Sequence, residues 1–264
     1  MKISNPDKIV YQKTKTTKQD VVDYYNFVEK MMLPYISNRN LALVRCPGGV
    51  TSCFYTKNPP EFEKNFFVVS DTAELISHVQ MNTIEFHLWG SPSDDIDLPD
   101  IMVFDLDPDE TMSLKQIRKG ATDLKSILDE LGLVSFLKTS GGKGYHIVVP
   151  FKEASDWSSF KEFSKMIAEL MEAKWQDKYT TNIRKDARGG KIFVDYLRNT
   201  KGATSIAPYS LRAKESPTIS FPIDWHEINK FKPNSVDINN IEKYIQHDPW
   251  KDFFKVKNKQ KLKS

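Results

Sequence analysis

Residues 101–110 read IMVFDLDPDE. Four apolar residues, Ile101 to Phe104, run into Asp105-Leu106-Asp107, and Pro108 ends the run. A short apolar stretch bounded by a breaker predicts a buried strand. In a strand, residues i and i+2 share one face roughly 6–7 Å apart, so both carboxylates project together. At the end of a buried strand they repel each other and lose hydration unless a cation lies between them. Oxygen ligands of this kind suit Mg²⁺ or Mn²⁺. A solvated acidic turn is the bland alternative.

Specific rivals divide on single positions. A calcium EF loop wants Gly sixth and Glu twelfth, where this chain has Glu110 and Gln116. A haloacid-dehalogenase-type phosphatase motif fails at Asp109, and a sugar-nucleotide transferase D-x-D stays open on this segment alone. KIFVDYLRN (191–199) embeds Asp195 among Ile192, Phe193, Val194 and Leu197. An acid in such a run is rarely buried unpaired, so it reads as a third metal ligand or as the partner of a nearby Arg. Three carboxylates around two divalent ions are the apparatus of in-line nucleotidyl transfer. KTSGGKGYHIVVP (138–150) is a turn with Gly141, Gly142 and Gly144 between two β-type runs. Its backbone N–H groups, Ser140, Lys143 and His146 suit phosphate oxygens. The spacing is not that of a Walker A loop, and a strand follows where that motif needs a helix.

The whole chain supports a nucleotide-handling reading. Its 264 residues carry 38 Lys+Arg against 35 Asp+Glu, a net charge of +3, but the charges are segregated. Residues 91–110 hold eight acids and no base, residues 184–214 eight bases against two acids, and residues 251–264 six lysines and one acid. Such blocks suit a protein that holds cations and polyanions together. With 39% hydrophobic and 28% charged residues, collagen-like, low-complexity and long disordered classes are excluded. No run approaches the ~18 apolar residues of a membrane helix, and the first residues lack a signal-type apolar region. Cys46 and Cys53 read as reduced core residues of a cytoplasmic protein.

Helices are expected at 17–33 and from Asp71, Ser113 and Asp156, each from a capping residue ahead of an apolar stripe, with a fifth at 236–246. The fourth should bury Phe160, Phe163, Ile167 and Leu170. Strands are expected at 41–45, 53–56, 66–69, 83–88, 101–106, 134–138, 145–149, 192–197 and 204–207. Loops are expected at 57–65, 90–100, 139–144, 184–191 and 198–203. Without regular βαβ alternation the fold class is α+β, with one domain over 1–250 and a flexible basic tail over 251–264.

D-x-D at a strand end, then S-G-G-K-G-x-H, then an apolar-embedded Asp resembles the three-part signature of the archaeo-eukaryotic primase superfamily. NPDKIVY, TTKQDVVDYY, LALVRCPGG, NTIEFHLWG, VFDLDPDE, KTSGGKGYH, FVDYLRNTKGATSIAPYSLRA and PIDWHEI resemble, in order, blocks of the polymerase domain of bacterial DNA ligase D. The resemblance implies a primase-polymerase fold with central, mostly antiparallel sheets. It also implies template-directed addition of nucleotides, preferably ribonucleotides, to a DNA 3′ end or gap in non-homologous end joining.

By position, Asp105, Asp107 and Asp195 are implied ligands of two Mn²⁺ or Mg²⁺ ions. Ser140, Lys143, His146, Arg198, Arg212 and His87 are implied contacts of the nucleoside triphosphate. Phe54 is implied to stack on a base, and Lys8 and Lys18 to bind a DNA 5′-phosphate. Implied partners are gapped or broken DNA, NTP or dNTP, a Ku-type end-binding protein and a DNA ligase, with no membrane. Two departures stand out. Asn58 follows Lys57 where the family has a histidine, and no K-x-D-G ligase motif is present. An inactive primase-like DNA-end adaptor and a D-x-D glycosyltransferase remain the alternative readings.

Overall fold

In the computed structural model, which describes residues 2–57, 66–109, 111–152 and 156–262, the expected caps carry the hydrogen bonds that define them. Thr17 and Asp20 close a capping box at α1 (Lys18–Ile36), ahead of which β1 (Ile9–Tyr11) pairs with β2 (Thr16–Thr17). After β3 (Arg39–Arg45) and β4 (Phe54–Thr56), Asp71 caps α2 (Thr72–Gln80), and β5 (Thr83–Pro92) and β6 (Ile101–Asp107) follow. Ser113 and Gln116 form the second capping box, at α3 (Leu114–Glu130). Next come β7 (Phe136–Thr139), β8 (Tyr145–Pro150), α4 (Trp157–Lys174) capped by Asp156, and β9 (Tyr179–Thr180). β10 (Ile192–Asp195), β11 (Thr204–Ile206), β12 (Pro222–Ile223) and α5 (Phe253–Lys257) complete the chain.

Two sheets organise these elements. One has six strands in the order β12-β7-β8-β6-β10-β9, the other four in the order β11-β5-β3-β4. Every pairing within them is antiparallel except β9 with β10. The α+β expectation therefore stands. Phe104, Leu137, Ile147 and Val149 of the larger sheet are buried together with Leu124 and Leu128 of α3 and with Phe160 and Ile167 of α4.

Several expectations need correction. Leu170 is 44% exposed, and Ser164, Ala168 and Met171 take the buried places on α4. Only a 3-10 turn, Ile241–Lys243, forms within 236–246. There the Asn240 carboxamide accepts from Asp237 N–H and donates to the Ser235 carbonyl, local bonds that compete with a helical ladder. Residues 66–69 make an isolated bridge, Phe67 to Leu41, in place of a strand. The 192–197 run ends as a strand at Asp195 and turns through Leu197–Asn199. From residue 58 on, the expected loop at 57–65 lies outside the described residues.

Cys46 and Cys53 form a disulfide, so they are not the reduced thiols expected, and cysteine usage no longer argues for a reducing compartment. The expected flexible tail is anchored over its described part. Phe253 is fully buried, Lys257 Nζ lies 2.9 Å from Asp100 Oδ2, and the Gln260 carbonyl accepts from Lys152 N–H. Charge composition alone hid the apolar residues Trp250 and Phe253, which stack on each other and pack against Phe136 and Tyr35.

Candidate active site

Antiparallel register builds the site. β10 pairs with β6 so that Asp195 stands opposite Asp105, and β8 pairs with β6 so that His146 stands opposite Asp105 on its other side. β7 adds Lys138 opposite His146. Cross-strand partners share a face, so Asp195, Asp105, His146 and Lys138 form one row across four strands. Asp107 joins them two residues along β6. Asp105 and Asp195, ninety residues apart in the sequence, thus become cross-strand neighbours.

Two guanidinium groups sit among the carboxylates. Arg198 Nε lies 3.1 Å from Asp195 Oδ2 and its Nη2 3.5 Å from Asp105 Oδ2. Arg188 Nη1 lies 2.8 Å from Asp107 Oδ2, with its guanidinium 4.2 Å from the centre of the Phe193 ring. Even so, burial raises Asp105 to about 6, with the charges of Asp195 and Asp107 adding to the rise and Arg198 opposing it. Burial likewise raises Asp195 against the pull of Arg198. An all-oxygen donor set in which burial holds Asp105 and Asp195 back from ionisation fits a hard divalent cation.

His146 Nε2 is 3.6 Å from Asp105 Oδ1, and Lys138 Nζ lies 3.1 Å from His146 Nδ1 and 2.7 Å from Ser220 Oγ. With Lys138 donating to Nδ1, the ring proton is assigned to Nε2, on the side of Asp105. Burial, reinforced by the Lys138 and Arg212 charges, holds His146 well below the usual histidine range. Burial and Arg212 push Lys138 down in turn. The imidazole is neutral, a donor into the site.

The 140–144 turn is held tightly. Ser140 Oγ accepts from Gly142 and Gly144 N–H at 3.1 and 3.3 Å, which leaves its own proton to donate. A Cβ at Gly144 would lie 2.9 Å from the Leu106 carbonyl, so glycine lets the turn rest on β6 between the two aspartates. Gly141, at φ +65°, has Arg212 Cγ and the Ile219 backbone within 3 Å of where a Cβ would be. Lys143 is exposed at the tip; burial and the charge of Arg212, with a smaller part from Lys143, lower the neighbouring Lys214.

The segment after Leu211 and β5 of the four-stranded sheet bring the remaining polar groups. Arg212 Nη1 donates to the Ser140 carbonyl at 2.7 Å, and its Nε donates to Glu85 Oε1 at 3.1 Å. Ala213 N–H donates to the same oxygen, and His87 Nε2 lies 2.7 Å from Glu85 Oε2. Burial alone would raise Glu85, but His87 and Arg212 bring it down to about 2. Burial lowers His87, so it serves Glu85 as a neutral Nε2–H donor. Glu85, Lys138 and Arg188 were absent from the sequence reading. An acid inside TIEFHLWG and a lysine inside FLKT were the signals that could have found the first two.

Phe54 is half exposed and presents its ring beside Arg45, 6.0 Å away. Lys8 is half-buried and donates to the Pro47 carbonyl. Lys18 is buried, with Nζ 3.4 Å from Ser4 Oγ, and burial and the charge of Lys8 lower it. The two lysines therefore share one locality, as a joint anion contact requires. They are not the fully solvated residues that the composition of the N-terminus suggests.

Residues 17–252 match the LigD primase-polymerase domain. The chain belongs to that family. The multifunctional non-homologous end joining protein LigD of Pseudomonas aeruginosa is 30% identical to it, over 96% of this chain and 33% of that protein. The bifunctional LigD of Bacillus subtilis is 30% identical, over 97% of this chain and 44% of its own length. The solved polymerase domain from Mycobacterium tuberculosis ligase D, in complex with DNA, has a TM-score of 0.84 at 29% identity. That match covers 94% of this chain and 95% of the solved one. The chain thus spans less than half the length of these two curated LigD proteins while matching the solved LigD polymerase domain almost throughout.

Proposed function

We propose that the chain is a DNA repair polymerase that adds nucleotides, ribonucleotides in preference, to a 3′ end or gap during non-homologous end joining. One observation carries this reading: the strand register that lines up Asp195, Asp105 and His146 beside the 140–144 turn, whose Ser140 carbonyl accepts from Arg212. Asp105, Asp107 and Asp195 would hold two divalent ions, Mn²⁺ or Mg²⁺. Bound there, such ions neutralise transferring phosphate and make a 3′-hydroxyl easier to deprotonate.

The rest is the work of this chain's own groups. Ser140, Lys143 and Arg212 bind the triphosphate oxygens, His146 donates from Nε2, and Arg198 supplies a further cation at the rim. Glu85 holds Arg212 and His87 in place for that task. Phe54 stacks on a base of the DNA, and Lys8 with Lys18 takes a 5′-phosphate across a gap. The relatives are named as end joining proteins, which supports the pathway. A Ku-type protein and a ligase are the partners this reading requires, and the cytoplasm, where bacterial DNA lies, is its place of work.

The test is extension of a gapped duplex with and without a 5′-phosphate, with each NTP and dNTP, in Mn²⁺ and in Mg²⁺. Metal-dependent incorporation favouring NTPs and the phosphorylated gap is expected. Absence of incorporation with every nucleotide and ion would overturn the proposal and favour a non-catalytic adaptor.

A further inference from the structure

We propose that Asp224, Glu227 and His247 form a second divalent-metal site, one that takes Zn²⁺ and ties the C-terminal segment to the sheet. Among the described residues this is the one set of three His, Cys, Asp or Glu side chains whose ligand atoms all lie within 4.8 Å of one another. Its members come from two separate segments. Asp224 follows β12 and precedes the 3-10 turn Trp225–Glu227. Three residues per turn stack positions i and i+3, which puts Asp224 and Glu227 on one side. His247 comes from the stretch leading into Trp250 and α5. Its Nε2 lies 2.9 Å from Asp224 Oδ2 and 3.8 Å from Glu227 Oε2.

The partners of each group leave these atoms available. Lys230 pairs with Glu227 Oε1, so Oε2 is the atom turned toward His247. Glu227 is 13% exposed at its side chain, Asp224 30% and His247 54%, so the set grades from a partly buried carboxylate to an accessible imidazole. Asp224 and His247 also line a cavity of about 940 Å³, with His226 and Asp248 in its wall. That leaves room for a solvent or a further donor beside three protein ligands, the form of an open zinc site.

The donor chemistry separates this set from the aspartate row. Three carboxylates suit Mg²⁺ or Mn²⁺, whereas an imidazole nitrogen shifts preference toward Zn²⁺ along the Irving–Williams order. An ion here would join the segment after β12 to the one that inserts Trp250 and Phe253 into the core. The inference does not depend on the polymerase reading.

The experiment is calorimetric titration of the full chain, stripped of metal, in an Asp105→Ala/Asp107→Ala background that disables the other carboxylate cluster. One equivalent of Zn²⁺ is expected to bind, with Mn²⁺ weaker and Mg²⁺ silent, and with a rise in melting temperature. His247→Ala and Asp224→Asn are each expected to weaken Zn²⁺ binding by at least about tenfold and to abolish that rise. Both residues are accessible, so melting temperatures of the metal-free variants should match the parent and show that they fold. No Zn²⁺ binding by the parent, or equal binding by parent and both variants, would overturn the site and leave His247 as an ordinary ion-pair partner of Asp224.

Discussion

The two sheets each place buried acids at the site, and they stabilise those acids differently. In the six-stranded sheet, β6 and β10 hold three aspartates of which two are raised by burial, with Arg188 and Arg198 pairing from irregular segments. In the four-stranded sheet, Glu85 of β5 is lowered to about 2 because its carboxylate accepts from His87, Arg212 and Ala213. An acid satisfied by its neighbours is a structural anchor. An acid that burial still raises beside an arginine is a binding group. Equal burial of a carboxylate therefore says little until its donors are counted.

Breaking the aspartate side should have the largest effect. Asp107→Ala is expected to lower primer extension by about 10³-fold while leaving DNA binding near normal, read by extension and gel-shift assays on the same protein. Near-normal extension would remove Asp107 from the metal-holding set.

Breaking the Glu85 anchor should come second. Glu85→Gln is expected to lower kcat/KM for the nucleotide by roughly 10–100-fold, since Arg212 and His87 lose their common partner. Stability follows the sign of the shift. Glu85 is lower in the folded state than its ordinary 4.5, so its contribution is present above pH 4.5 and disappears as pH falls toward 2. Wild type should lose on the order of 2 kcal/mol from this group between pH 7 and pH 3, and Glu85→Gln should lack that component in urea unfolding at the same two pH values.

Smaller effects sharpen the contrast at the periphery. Phe54→Ala should leave stability within about 0.5 kcal/mol, because the ring is half exposed, yet weaken template DNA by about 1 kcal/mol. Equal affinity in a fluorescence titration would make Phe54 a bystander. Lys8→Ala with Lys18→Ala should cost only a few-fold, seen as a lost preference for gaps bearing a 5′-phosphate and a shallower salt dependence. An unchanged preference would assign the phosphate to other residues.

Local signals and long-range placement divided unevenly between reading and structure. Thr17, Asp71, Ser113 and Asp156 announced helix starts because a cap acts within four residues of itself. The strands carrying Asp105, His146 and Asp195 were legible as apolar runs for the same reason. The 236–246 helix failed because Asn240 and Asp237 bond their own backbone, a competition that apolar spacing does not register. Leu170 failed because the buried face of α4 is set by what packs on it, where small Ser164 and Ala168 fit closely.

The amino-acid sequence by itself determined the element types, the acidic strand ends and the glycine turn, since propensity, capping and side-chain alternation act over a few residues. Only the tertiary structure decided that Glu85 is an anchor, that Lys138 stands behind His146, and that the lysine-rich end is tied down through Phe253. Those outcomes depend on strand register and on burial, which are set by contacts between residues tens of positions apart, and no local pattern encodes the free energy of such contacts.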